Sequence, residues 1–234
     1  MAWTPEDPEL ARYRGPHLAV DVALLTVSHG ETVPASLEVV LHRRAARAHA
    51  PGEWALIGRM VRERETLAEA VRSALEDKCG IHGITPRQLF VADDPARDDR
   101  GWVMSVAHIA TEPWAQVEAV MRDRPDLALA HVARSPEISF TLPGGQEHLP
   151  YEQDAIVTEA IRRLREVYAD KPDPGRFLPE EFTVYQLRHV HEAVLGRDLD
   201  KDVFRRQMLP YLDPTGRMSE RTVGRPARLF RRLG

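Results

Sequence analysis

The chain has 234 residues, 43% apolar and 29% charged, which excludes a disordered or fibrous chain and allows one large domain or two ordinary ones. Its longest uncharged apolar runs, such as 22–27, are far too short to span a bilayer, so no membrane partner is expected. One cysteine, Cys79, excludes an internal disulfide and a cysteine-based zinc site. The opening, MAWTPEDPEL, is acidic and proline-bearing and does not read as a signal peptide, so the expected setting is reducing and cytoplasmic.

The net charge of −4 is unevenly placed. From Lys201 onward nine lysines and arginines face three acids, leaving +6 there and −10 on the rest. An acidic body with a basic end points to an anionic partner at that end.

In chain order, residues 1–16 read as a loose arm with Pro5, Pro8 and Pro16. Residues 17–27 are rich in β-branched and aliphatic side chains and predict a strand, SHGET a turn, and 37–41 a second strand. A basic loop with a Pro-Gly turn follows, then a short apolar strand over 54–57 that ends at Gly58. Leu67, Ala70, Val71, Ala74 and Leu75 fall at helical spacing, with Thr66 and Glu69 as a capping box and Gly80 as a left-handed stop. Strands are expected at 89–92, 102–110 and 138–142, a short helix at 114–121, and a longer helix over 151–168. Two prolines and a glycine at 169–176 (ADKPDPGR) mark the boundary between domains. Helices over 184–195 and 201–209 follow, the first stopped by Gly196 and the second capped by Asp200. Turn residues at Pro214 and Gly216 then lead into a basic extended stretch.

Two motifs carry chemistry. The stretch 54–81, WALIGRMVRERETLAEAVRSALEDKCGI, resembles a Nudix box with its lead-in strand. In that family stacked carboxylates hold Mg²⁺ against a diphosphate. Gly58, Glu65, Leu67, Ala70 and Gly80-Ile81 fit the pattern. Arg59 replaces the second glycine, and Ser73, Ala74 and Lys78 replace the arginine and two glutamates of its core. Asp77 keeps a carboxylate at a ligand position; Glu69, Glu76 and Asp77 otherwise read as exposed helix charges. The resemblance therefore implies a Nudix fold with no metal site and no catalytic residue. The loop DPARDDRG and the strand behind it resemble the ADP-ribose-handling branch of the family, which puts Arg97, Arg100 and Trp102 at the nucleotide. Arg43 and Arg44 end the second strand; either could meet a pyrophosphate, or the pair could be a basic loop tip.

Residues 177–234 resemble the winged helix of the Nudix-related transcriptional regulators of NAD metabolism (the NrtR family). The resemblance rests on Phe182-Thr183, Tyr185-Gln186-Leu187, Leu195-Gly196-Arg197, Leu199-Asp200-Lys201, Phe204-Arg205-Arg206 and Gly224-Arg225-Pro226-Ala227. Phe204 and Met208 share one helical face; Lys201 and Arg205 share another, flanked by Arg206 and Gln207. Such a helix suits a major groove, where Arg reads guanine and Gln reads adenine. Arg221, Thr222, Arg225 and Arg228 form the candidate wing.

The expected fold class is α+β: a Nudix-like α/β/α sandwich with a mixed sheet, then a C-terminal winged helix-turn-helix. The expected organisation is an arm (1–16), an effector-binding domain (17–168), a linker (169–176) and a DNA-binding domain (177–234). The family resemblance implies a homodimeric regulator, a repressor by analogy, that binds a palindromic double-stranded operator near NAD genes and senses ADP-ribose or a related nucleotide. No cofactor is expected. Two alternatives stay open: an active Nudix pyrophosphohydrolase with an accessory nucleic-acid domain, and a regulator sensing a sugar or another nucleotide.

Overall fold

The computed structural model describes residues 15–29, 34–219 and 226–233. β1 (His17–Ser28) is the spine of an eight-stranded mixed sheet. Successive side chains of a strand point to opposite faces. Val20, Val22 and Leu24 therefore enter one apolar layer, and Ala23, Leu25 and Val27 the other. The sheet order is β5 (Arg87–Ala92), β6 (Val103–Thr111), β1, β2 (Ser36–Arg43), β7 (Leu127–Val132), β8 (Phe140–Thr141). β1 runs parallel to β6, and the other pairings on this path are antiparallel.

Two short strands, β3 (Trp54–Ala55) and β4 (Ile57–Met60), create the feature on which the site depends. β1 pairs with β2 through Leu24 to Ser28, but with β4 through Ala19 to Val22. β3 meanwhile pairs with the far end of β2 at His42 and Arg43. β1 and β2 thus part beyond Leu24, and β3 and β4 occupy the fork. Gly58 is required there: a Cβ would lie 2.4 Å from Asp21 Oδ1 and 2.5 Å from the Val20 carbonyl oxygen. The strand does not end at Gly58, as expected, but runs on to Met60 because β1 continues to offer a partner.

α1 (Leu67–Cys79) has the expected Thr66–Glu69 capping box and the left-handed Gly80 stop. With α2 (Trp114–Met121) it covers the face bearing Val20, Val22 and Ile57. α3 (Gln153–Val167) covers the other face with Ile156, Val157, Ala160, Ile161 and Leu164. This is the expected α/β/α sandwich.

The C-terminal part contains α4 (Val184–Leu195), α5 (Lys201–Met208) and an antiparallel hairpin of β9 (Leu212–Met218) and β10 (Arg228–Arg232), the elements of a winged helix. Its Leu187, Val190, Val194, Phe204, Met208 and Phe230 join the same continuous core as the sheet and α3. β9 includes Pro214 and Gly216, which the sequence suggested as a turn. A proline is tolerated because β9 pairs on one side only. β7 was not expected, and β8 is shorter than the expected 138–142 strand.

Residues 169–176, the expected linker, form a joint anchored by the buried Asp173 and Gly175, with 169–171 and 176 exposed. Asp173 is fully buried, with φ of 45°. Its carboxylate accepts from Tyr168 Oη at 2.6 Å, from the backbone N–H groups of Phe177 and Leu178, and from Arg232 of β10. Among the described residues no helix is long and apolar enough to cross a membrane. The expected arm falls almost wholly outside the described residues, as do Arg221, Thr222 and Arg225 of the expected wing.

Candidate ligand pocket and nucleic-acid face

A cavity of about 330 Å³ opens where β1 and β2 fork. β1 supplies Ala19 and Asp21, β2 His42, the loop after it Arg44, β4 Gly58 and Arg59, and α1 Lys78. The 94–101 loop supplies Arg97, Asp98 and Arg100, and the entry to α3 supplies Tyr151 and Gln153. Five of these residues are Arg or Lys and two are acids, so the lining is net cationic. Such a concave, charge-biased cleft suits a phosphorylated ligand.

Asp21 is the buried anchor. Its Oδ1 accepts from Gln153 Nε2 at 2.7 Å and its Oδ2 from Ser105 Oγ at 2.6 Å. Arg97 Nη2 lies 3.5 Å from the same carboxylate and donates to the Tyr151 carbonyl at 2.9 Å. Arg97 is only 5% exposed, yet its Nε is buried without a partner. A buried donor left open costs free energy unless an acceptor arrives.

Arg100 is held in plane by a two-bond contact to Asp98, Nε at 2.8 Å and Nη2 at 2.5 Å. The same bonds keep the Asp98 carboxyl below its ordinary range. The Arg100 guanidinium lies 4.6 Å from the centroid of the Tyr151 ring, and that of Arg44 lies 4.9 Å from it. Arg44 also donates to Tyr151 Oη at 3.0 Å and to the His49 carbonyl at 2.6 Å. Tyr151 reaches this position through a strained backbone, with φ of 60° and Glu152 at 57°.

Arg44, Arg97 and Arg100 of the expected effector residues come together here. Arg43 and Trp102 do not line the cavity. Arg43 turns to the Gly52 carbonyl at 3.1 Å and sits 5.8 Å from the Trp54 ring, whereas Arg44, the residue after β2, lines the cavity. Trp102 is 50% exposed just ahead of β6, and its neighbour Val103 faces the cavity. Sequence reasoning missed Asp21, Tyr151 and Gln153. A lone acid inside the apolar run HLAVDVALLTV was a usable signal for Asp21; nothing local announced Tyr151.

The residues at the box do not fit a divalent ion. Asp77 is exposed and outside the lining. Glu69 is engaged in the α1 cap, Glu65 pairs with Arg59 at 3.0 Å, and Ser73 and Ala74 bring no carboxylate. Lys78 places its ammonium against the Gly58 carbonyl oxygen. Burial lowers its pKa, and Arg44 and Arg59 push the same way against Asp21. Among the described residues no three His, Cys, Asp or Glu side chains gather as metal ligands.

The second face belongs to α5. Asp200 caps it, accepting from the N–H groups of Asp202 and Val203 at 3.0 and 2.9 Å. Phe204 and Met208 are buried, while Lys201, Val203, Arg205, Arg206 and Gln207 are exposed. Gln207 Nε2 is drawn to the Ala169 carbonyl at 3.3 Å, which ties it to the joint. Arg228 stands exposed at the start of β10. Not every cation of the basic end is available: Arg217 and Arg231 pair with Glu181, and Arg232 with Asp173. Lys201, Arg205, Arg206 and Arg228 are in no ion pair among the described residues.

Residues 174–232 match the NrtR DNA-binding winged helix domain family. The chain is similar to the ADPR responsive transcriptional repressor NtrR of Acinetobacter baylyi, 25% identical over 224 residues, 94% of this chain and 83% of that protein. It is similar to the crystal structure of Shewanella oneidensis NrtR complexed with a 27mer DNA, at 27% identity and a TM-score of 0.73, covering 92% of this chain and 93% of that one. A MutT/nudix family protein from Enterococcus faecalis shares the fold at 22% identity and a TM-score of 0.72, covering 99% of this chain and 89% of that one.

Proposed function

We infer that this chain, an NrtR-type protein with a Nudix-like domain ahead of an NrtR winged helix, is a DNA-binding transcriptional repressor that senses ADP-ribose. The observation that carries the ligand half is the gathering of Arg44, Arg97 and Arg100 around one net-cationic cavity. A diphosphate offers acceptors to these side chains, and the planar guanidinium forks of Arg44 and Arg100 suit its oxygens. The ADPR responsiveness of the Acinetobacter relative favours ADP-ribose over a bare sugar.

For the DNA half, α5 is the element placed to enter a major groove, with Lys201, Arg205 and Arg206 outward. Val203, 51% exposed on this helix, offers apolar contact to a thymine methyl. Arg228, exposed at the start of β10, supplies a further cation for phosphates. An eight-residue helix covers a short half-site, so a homodimer on a palindromic operator is the natural assembly. NAD-linked genes are the expected targets, and such a regulator works where the DNA is, in the cytoplasm.

α3 links the two halves. Its first residue, Gln153, holds Asp21 in the pocket, and at its other end Arg165 donates to the Val194 carbonyl of α4 at 3.0 Å. A ligand that shifts Tyr151 or Gln153 therefore acts on an element seated against the DNA-binding domain. The hydrolase alternative is disfavoured by the same residues that do not fit a metal. ADP-ribose incubated with the chain and Mg²⁺ is expected to stay intact, and release of AMP would favour the hydrolase.

Two substitutions separate the sites. Arg205→Ala should weaken operator binding about tenfold or more at fixed salt and leave ADP-ribose binding unchanged. Arg97→Ala should keep operator binding and abolish its response to ADP-ribose. If Arg205→Ala leaves operator affinity unchanged, α5 is not the reading helix; if Arg97→Ala still responds, the ligand sits elsewhere.

A further inference from the structure

In the intact motif a divalent ion neutralises the diphosphate between protein carboxylates. Here the carboxylates are absent, engaged elsewhere or, at Asp77, outside the cavity lining, and a cation stands in their place. Lys78, at the end of α1, reaches the fork between β1 and β4 and donates to the Gly58 carbonyl oxygen at the cavity wall. An ammonium has three donors, so the contact to Gly58 leaves two for another acceptor. Arg59 stands beside it, fixed by Glu65 at 3.0 Å with Arg59 and Glu65 side chains both 13% exposed. Arg97 and Asp21 also line the cavity, 3.5 Å apart.

We propose that Lys78 is a built-in counter-cation: its ammonium replaces the divalent ion at the diphosphate, so this pocket binds its nucleotide without metal. This rests on the ADP-ribose reading above and deepens it. Two observations support it together. The lysine is anchored at the cavity by a backbone carbonyl, and the cavity lining keeps a cationic excess where a metal-dependent site keeps an anionic one. A net-cationic lining repels Mg²⁺ and attracts the free, uncomplexed diphosphate. Burial also raises the electrostatic worth of each remaining charge, because the cavity is less polarisable than water.

The test is calorimetric titration of the full chain with ADP-ribose and, in parallel, with inorganic pyrophosphate, each in EDTA and in Mg²⁺. Both ligands should bind in EDTA, and Mg²⁺ should leave the affinity unchanged or lower it by sequestering the ligand. Lys78→Met should lose about tenfold or more in EDTA for both ligands. Lys78→Arg should restore most of that loss, and adenosine, which has no diphosphate, should bind both variants as it binds the wild type. A thermal melt of Lys78→Met within a few degrees of wild type separates lost ligand contact from lost fold. Binding that requires Mg²⁺, or Lys78→Met as tight as wild type, overturns the proposal. Pyrophosphate binding that depends on Lys78 without any ADP-ribose binding would keep the counter-cation and overturn the choice of effector. Binding of neither would overturn both.

Discussion

Gly58 shows how one position can be fixed by geometry alone. Its backbone crosses Asp21 and Val20 so closely that an added methyl would sit inside contact distance of two oxygens. Gly58→Ala must therefore push β4 from β1 or displace the Asp21 carboxylate from Gln153 and Ser105. A cost of roughly 1–3 kcal/mol is expected, read as a fall in the urea midpoint at unchanged slope; an unchanged midpoint would mean that the fork is softer than described. Such residues differ in how well the sequence announces them. Gly58 stood out because it keeps a family glycine, and Arg97 and Arg100 because their loop has a recognisable order. Tyr151 did not, since its place depends on a left-handed backbone at two non-glycine residues that no local pattern encodes. Arg43 and Arg44 were indistinguishable in sequence; only the folded end of β2 decides which one lines the cavity.

Helices were more legible than strands. α1 and α4 agree closely with their periodicity and caps, because those signals are local, and α2 has its expected span. β7 and β9 were missed because their existence depends on partners distant in sequence: LALAHV becomes a strand by pairing with β2, and LDPTGRM by pairing with β10. The end of α4 illustrates a local signal with a distant consequence. Gly196 is its left-handed stop, with φ of 67°, and its α-carbon also faces the 133–137 loop of the sheet domain. A Cβ there would lie 2.4 Å from the Ser135 carbonyl oxygen and 2.9 Å from Arg165 Nη2. Arg165 itself donates to the Ser135, Pro136 and Val194 carbonyls. Gly196→Ala should thus both strain the cap and pry α4 from α3, costing roughly 2 kcal/mol or more. Chemical denaturation would measure it, and a loss below about 0.5 kcal/mol would show that this junction is not tightly packed.

The molecule is divided by sequence composition but joined by its core. Leu164, Tyr168, Phe177, Leu187, Phe204 and Phe230 lie in one apolar cluster that crosses the expected boundary. Asp173 sits at its centre, binding Tyr168 on one side and Arg232 on the other. Calorimetry should accordingly show one cooperative unfolding transition, whereas two resolved transitions would mean that the halves fold independently. The same region sets a pH dependence. His191 accepts from the Asp173 N–H at 3.3 Å and lies between the Tyr168 and Phe204 rings, and burial holds its pKa down to about 4. The unfolded chain, with a histidine near its ordinary value, takes up the proton first. The stability contributed by neutral His191 is therefore full above about pH 6.5 and is lost as pH falls toward 4, by roughly 3 kcal/mol. His191→Gln should flatten that limb of the stability profile; an equally steep fall in the variant would assign it to other groups.

A pocket at one end of α3 and a DNA-reading domain at the other are of use only if the two are thermodynamically coupled. The decisive measurement is operator affinity of the full chain across a titration with ADP-ribose at fixed salt. The expected result is a saturable fall in affinity, of about 5–150-fold, with ADP-ribose affinity reduced by the same factor when operator DNA is bound. Tight operator binding that ADP-ribose leaves unchanged at saturation would contradict it.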